Sequence, residues 1–205
     1  MLNVHFVIAG AVVGLAGSIA YAVDTVHGRT QPNRVTWLLW GAVPLLAFAV
    51  ELRSGVGLRS IMALSVGLGP LAVFAASFVN RSAVWRISRL DYLCGALSIT
   101  GTAVWLVTRE GLAALCAAIA ADALAGVPTL VKSWRAPESE SSLAYWGALV
   151  NAAVTLLTVH TVTADEVAFP LYIVVIAGVE LVLVAGRLGP RVRAQAEVRA
   201  AHSAR

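Results

Sequence analysis

Seven apolar stretches, each close to the length of about twenty residues that a helix needs to cross a bilayer core, fill this chain. They fall near 4–24, 35–51, 58–79, 90–108, 112–131, 143–163 and 167–186. Short polar breaks separate them: His27 to Arg34, Arg53 to Gly57, Asn80 to Arg89, Arg109-Glu110, Lys132 to Ser142, and Asp165-Glu166. Lipid offers no partner for a backbone N–H or C=O, and a helix pairs these groups within each segment. Only 13% of the 205 residues are charged, against about 25% in soluble domains, too few to clothe a surface that faces water. The expectation is an all-α membrane fold with seven transmembrane helices, lying in a lipid bilayer.

Charge placement orients the spans. With the N-terminus outside, the outer loops hold three cations: Arg53, Arg59 and Arg109. The inner segments hold the other twelve of the fifteen: Arg29, Arg34, Arg81, Arg86, Arg89, Lys132, Arg135, Arg187, Arg191, Arg193, Arg199 and Arg205. The excess of basic residues on cytoplasmic loops gives N-out, C-in. It also accounts for the net charge of +4 without nucleic acid as a partner. Arginine outnumbers lysine 14 to 1, which reads as a mark of GC-rich coding. Ala20-Tyr21-Ala22 looks like a signal-peptidase site, but no basic segment precedes the first apolar run, so that run is expected to stay as a helix. The location implied is a bacterial inner (plasma) membrane.

The chain repeats itself. Residues 24–43 align without gaps on 130–149: Arg29 with Arg135, Thr36 with Ser142, and Trp40-Gly41-Ala42 with Trp146-Gly147-Ala148. Gly69-Pro70-Leu71 aligns on Phe169-Pro170-Leu171 after a loss of six residues. Two triple-helix units, 4–79 and 109–187, are therefore expected, joined by a linker helix within 80–108 and followed by an Arg-rich cytoplasmic tail, 188–205. An odd number of helices between the copies makes them parallel repeats, as in several transporter folds. The small residues Gly10, Gly14 and Gly17, and the alanines Ala117, Ala121 and Ala125, read as helix-packing faces. They also underlie an expectation of a homo-oligomer.

A 3+1+3 chain with these loops resembles the PQ-loop superfamily, which includes SWEET sugar facilitators, KDEL-receptor relatives and Pnu-type vitamin-precursor transporters. The second unit carries the resemblance in Pro128-Thr129-Leu130 through Trp134-Arg135, then Glu138-Ser139 and Ser141-Ser142. Threonine stands where the family has the glutamine of its Pro-Gln pair, and the first unit has Ala22-Val23 at that place. Trp37-Leu38-Leu39-Trp40 is similar to the WxxW of Pnu-type proteins. The block from Thr30 to Trp40 also resembles a group of uncharacterised bacterial membrane proteins. The superfamily implies a small-molecule solute, such as a sugar or vitamin precursor, moved by alternating access. The receptor branch implies ligand binding without translocation.

Ionisable groups at bilayer depth are costly and point to function. Asp122 sits near the middle of the fifth span, six residues before Pro128, and suits a cationic group, a coupling proton, or an interhelical hydrogen bond. Glu180 and Asn151 lie deep in the seventh and sixth spans. Trp37 fits an interfacial belt. Trp40 and its repeat partner Trp146 would face the axis and stack a ring. These six residues form the expected binding set. Pro44, Pro70, Pro128 and Pro170 are candidate hinges, because proline removes a helix hydrogen bond. Asp24, Arg29 and Arg34 are either a solvated loop or a cytoplasmic gate with a breakable ion pair. No zinc-protease or serine-hydrolase motif is present, Cys94 and Cys116 lie in apolar runs, and neither an enzyme nor a metal or other cofactor is expected.

Overall fold

A computed structural model describes residues 2–53, 57–80, 83, 85–108, 111–160 and 162–203. Among them the chain forms helices and no strand: α1 (Phe6–Val26), α2 (Arg34–Arg53), α3 (Ser60–Ala76), α4 (Arg89–Thr108), α5 (Gly111–Arg135), α6 (Ser142–Leu157), α7 (Ala164–Val184) and α8 (Leu188–Ser203). Arg81, Arg109, Glu110 and Arg205, which enter the charge pattern above, lie outside the described residues.

Five helices are long and apolar enough to cross a membrane, within Phe6–Val26, Gly57–Ala76, Arg89–Val107, Cys116–Arg135 and Glu166–Val184. The apolar parts of α2 and α6, Arg34–Ala49 and Ser142–Leu157, are shorter. Sixteen residues give a helix of about 24 Å, below the thickness of a bilayer core of about 30 Å. The outer faces carry large apolar side chains such as Val12, Leu93, Val107 and Val175, as a lipid-facing surface requires.

Local chemistry sets the helix ends. α1 stops before Gly28, whose φ of 76° is the left-handed conformation that glycine takes at helix C-termini. Asn33 starts α2, its Oδ1 accepting the backbone N–H of Val35 at 3.1 Å and of Thr36 at 3.4 Å, an N-cap. Asp91 starts α4 by reaching back to the N–H of Ser88 at 2.6 Å, the carboxylate half of a capping box. Its other oxygen accepts the Asn33 amide, so the starts of α2 and α4 are tied together.

In the first half of the chain α3 packs on both α1 and α2. In the second half α7 packs on both α5 and α6. The halves meet where α1 packs along α6 and α2 along α5, while α4 covers α5 and part of α2. The α1–α6 contact is a backbone-to-backbone approach. A Cβ on Gly17 would lie 2.4 Å from the Leu143 carbonyl oxygen, and one on Gly147 would lie 3.0 Å from that of Val13.

One expectation is corrected. The sixth span ends at Leu157 rather than near residue 163, since Thr158 and Val159 close it with turn hydrogen bonds. The Arg-rich tail is helical over most of its length. After Arg187, at φ 48°, it forms α8 and docks on the end of α5. There Arg193 donates to the carbonyls of Trp134 and Arg135 at 3.4 and 3.1 Å.

Candidate functional site

A cavity of about 70 Å³ lies at the centre of the bundle. Every helix of the two triplets contributes to it: Ser18 from α1, Trp40 from α2, Ser65 from α3, Asp122 from α5, Asn151 from α6 and Glu180 from α7. No described α4 residue lines it. The volume is less than half of the roughly 150 Å³ cavity that holds a benzene molecule.

Asp122 is buried, and its Oδ2 accepts the Tyr172 hydroxyl at 2.8 Å. Its own backbone carbonyl accepts the Trp40 indole N–H at 3.2 Å, which lays the indole beside it. Asn151 donates to Ser65 Oγ at 3.0 Å, while its Oδ1 is buried without a donor. Glu180 is 0% exposed, and neither of its carboxyl oxygens meets a donor within hydrogen-bond range. Glu140 and Lys132 are the charged side chains that act on it.

Contacts between the two halves of the chain flank the cavity, which stays partly open, at each end. Toward the start of α1, Val7, Met62, Ala152 and Ile173 make a dry apolar layer. Beyond it, Arg59 pairs with Glu166 at 2.8 Å, joining the entry to α3 with the start of α7. The opposite end is flanked by aromatic rings and a buried charge pair. Trp37 packs on Tyr21 at 4.6 Å and on Tyr145 at 6.5 Å between ring centroids. Both tyrosine hydroxyls donate to Oε2 of Glu140, at 2.7 Å from Tyr21 and 2.8 Å from Tyr145. The Lys132 ammonium pairs with Oε1 of the same carboxylate and donates to the Gln31 carbonyl. The side chains of Lys132 and Glu140 are 0% exposed. A buried pair is tolerable when further hydrogen bonds satisfy both partners, and here they do. The knot draws Tyr21 and Gln31 from the first half of the chain and Lys132, Glu140 and Tyr145 from the second.

Of the six residues expected from sequence to bind solute, Trp37, Trp40, Asp122, Asn151 and Glu180 come together on the cavity. Trp146 does not: it is 52% exposed on the outer side of α6, and its neighbour Tyr145 turns inward instead. Pro44, Pro70, Pro128 and Pro170 each lie inside a helix, and Pro70 also lines the cavity. Asp24 pairs with Arg29 at 2.9 Å on the surface. Arg34 is engaged elsewhere, donating to Ser77 Oγ and to the Ser77 carbonyl at 2.9 and 2.6 Å beneath the Phe78 ring.

Tyr21, Lys132, Glu140 and Tyr145 were not singled out by the sequence reading. One signal existed. In a chain that uses arginine at every other basic position, one lysine at the end of an apolar run calls for a compact point charge. Among the described residues no cluster of three or more His, Cys, Asp or Glu is placed to hold a metal ion. Comparison with protein-family models, with characterised proteins and with solved structures gives no match for the chain.

Proposed function

We propose that this chain is a small-solute transporter of the bacterial inner membrane. It crosses seven times in a 3+1+3 arrangement, N-terminus outside and C-terminus inside. Units α1–α3 and α5–α7 rock against each other and open the cavity to each side in turn, while α4 links them. The equivalent packing of α3 on α1 and α2 and of α7 on α5 and α6 supports the parallel repeat. The pairing of α1 with α6 and α2 with α5 is what a two-fold axis along the membrane normal would produce.

One observation carries the reading: the cavity is bounded by all six helices of the two units, and contacts that cross between the units flank it at each end. Loosening one set of these contacts at a time would give alternating access. The volume of about 70 Å³ suits a small solute; a sugar or a vitamin precursor would require it to widen.

Cysteine accessibility tests this. With Cys94 and Cys116 replaced, Ala148→Cys places one thiol on the cavity wall. A transporter exposes that thiol to membrane-impermeant reagent added from either side of oriented vesicles, and solute slows both reactions. Labelling from one side only, in every condition, would instead describe a receptor pocket.

A further inference from the structure

We propose that the solute is a small organic cation, an ammonium or guanidinium of a few heavy atoms, held by the Asp122 carboxylate at mid-depth with the Trp40 indole beside it. The proposal rests on the reading of this cavity as the solute site and adds the chemical class.

Charge comes first. Among the described residues the cavity wall carries two carboxyl side chains, Asp122 and Glu180, and no Lys, Arg or His. The buried cation nearest to it, Lys132, is committed to Glu140 and to the Gln31 carbonyl. Among the described residues the buried carboxyls are Asp91, at the start of α4, and Asp122, Glu140 and Glu180, against one buried ammonium. Acid groups buried in a membrane interior face a partner or a pathway. A cationic solute supplies the partner that the protein lacks.

Hydrogen-bond supply agrees. Tyr172 donates to one Asp122 oxygen, and among the described residues no hydrogen bond reaches the other. Both Glu180 oxygens and Asn151 Oδ1 are buried without donors. Around the cavity, two unpartnered buried donors stand against these acceptors, the Trp37 indole N–H and the Ser133 hydroxyl, the latter close enough to act on Glu180, so acceptors still exceed donors there among the described residues. An ammonium offers three donors and no acceptor, and a guanidinium offers a planar set of donors. A sugar hydroxyl brings an acceptor with every donor and leaves the imbalance in place. The walls fit as well, since Trp37, Trp40 and Tyr145 present aromatic faces that attract a desolvated cation. The volume of about 70 Å³ suits a solute of few heavy atoms. Glu180 lies eight residues beyond Tyr172 on α7, about 12 Å along the axis. It is a second station on the way to the Lys132–Glu140 pair.

The test uses the full chain in detergent at pH 8 with methylammonium and guanidinium, each at low millimolar concentration. Urea and acetamide serve as neutral isosteres, acetate as an anion, and NaCl at equal ionic strength as the control. Binding is read by quenching of tryptophan fluorescence and by the melting temperature. The expected result is saturable binding of the two cations and of none of the neutral or anionic probes. Affinity should fall at least tenfold in Asp122→Asn, which keeps the acceptor for Tyr172. Three outcomes overturn the proposal. The cations could act no differently from NaCl, they could bind Asp122→Asn undiminished, or urea could bind as tightly as guanidinium. The quenching comparison needs no variant, so it decides even if Asp122→Asn fails to fold. Counterflow of labelled guanidinium in proteoliposomes separates this proposal from the transport reading. Cation binding without counterflow removes transport and keeps the site. Counterflow of a neutral solute without cation binding removes the cation and keeps transport.

Discussion

Lys132 is the only lysine among fifteen basic residues, and its side chain is wholly buried against Glu140. Removing one partner of such a pair leaves a desolvated charge and costs on the order of 3–5 kcal/mol. Lys132→Met should destabilise the folded protein by about that much. Adding Glu140→Gln removes the stranded charge and keeps an oxygen for Tyr21 and Tyr145, so the double variant should be more stable than Lys132→Met alone. Lys132→Arg should not restore stability, because a planar guanidinium does not fit a pocket built for a point charge. Denaturation in SDS followed by tryptophan fluorescence measures all three. A double variant no more stable than the single would show that the pair is not the source of the effect. Asp122, Asn151 and Glu180 were legible in the sequence because a polar residue inside an apolar run stands out. Lys132 and Glu140 were not, because each lies at the edge of a polar break where a solvated charge is ordinary. Only the docking of the 27–33 loop against the 136–141 loop buries them, with the Gln31 N–H donating to the Ser139 carbonyl at 2.8 Å. Trp146 misled because a repeat match aligns sequence and not the direction in which a side chain points.

The elements themselves were close to legible, since apolar length is what a bilayer selects and what the sequence displays. Their ends shifted where turn chemistry outweighed hydropathy: at Thr158, which stops α6, and at Arg135, to which α5 continues past the apolar run. α8 was missed because its sequence is polar and carries no apolar stripe, and its place on α5 depends on Gly189. A Cβ there would meet the Trp134 carbonyl oxygen at 1.8 Å. The glycine face of α1 was read correctly as a packing surface, but its partner, α6, was out of reach from sequence alone. That partnership makes a graded prediction. Gly17→Ala forces a methyl into the Leu143 backbone, which cannot yield as a side-chain tip can, and should cost about 1–3 kcal/mol. Gly178→Ala in α7 meets nothing within 4 Å and should gain up to about 1 kcal/mol of helix propensity. Melting temperatures of the two variants should therefore move in opposite directions. A matched loss in both would mean that glycine at Gly17 serves α1 flexibility and not close packing.

At the scale of the whole molecule, the contacts at the two ends of the cavity are unlike in chemistry. One is a dry apolar layer with an ion pair beyond it, and the other is a hydrogen-bonded charge knot. The proposed repeat is also inexact. Pro70 is the eleventh residue of α3, but Pro170, its sequence match, is the seventh of α7. Rocking about the cavity would therefore be asymmetric, and the knot side offers the sharper test, because its two loops come from different units. The backbone hydrogen bond between Gln31 and Ser139 brings the two loops close enough to aim for the Cα separation of about 4.4–6.8 Å that a disulfide spans. In a background without Cys94 and Cys116, oxidised Gln31→Cys with Ser139→Cys should hold the knot side shut. If the units rock as proposed, oxidation should abolish solute counterflow, and reduction should restore it in the same proteoliposomes. Solute should still reach the cavity from the Arg59–Glu166 side, so binding should persist in the oxidised protein within a fewfold of its reduced value. Each single-cysteine variant, oxidised alike, should show no change. Counterflow that survives complete cross-linking would mean that the two loops stay together throughout the cycle, and the rocking of one unit against the other would have to be abandoned.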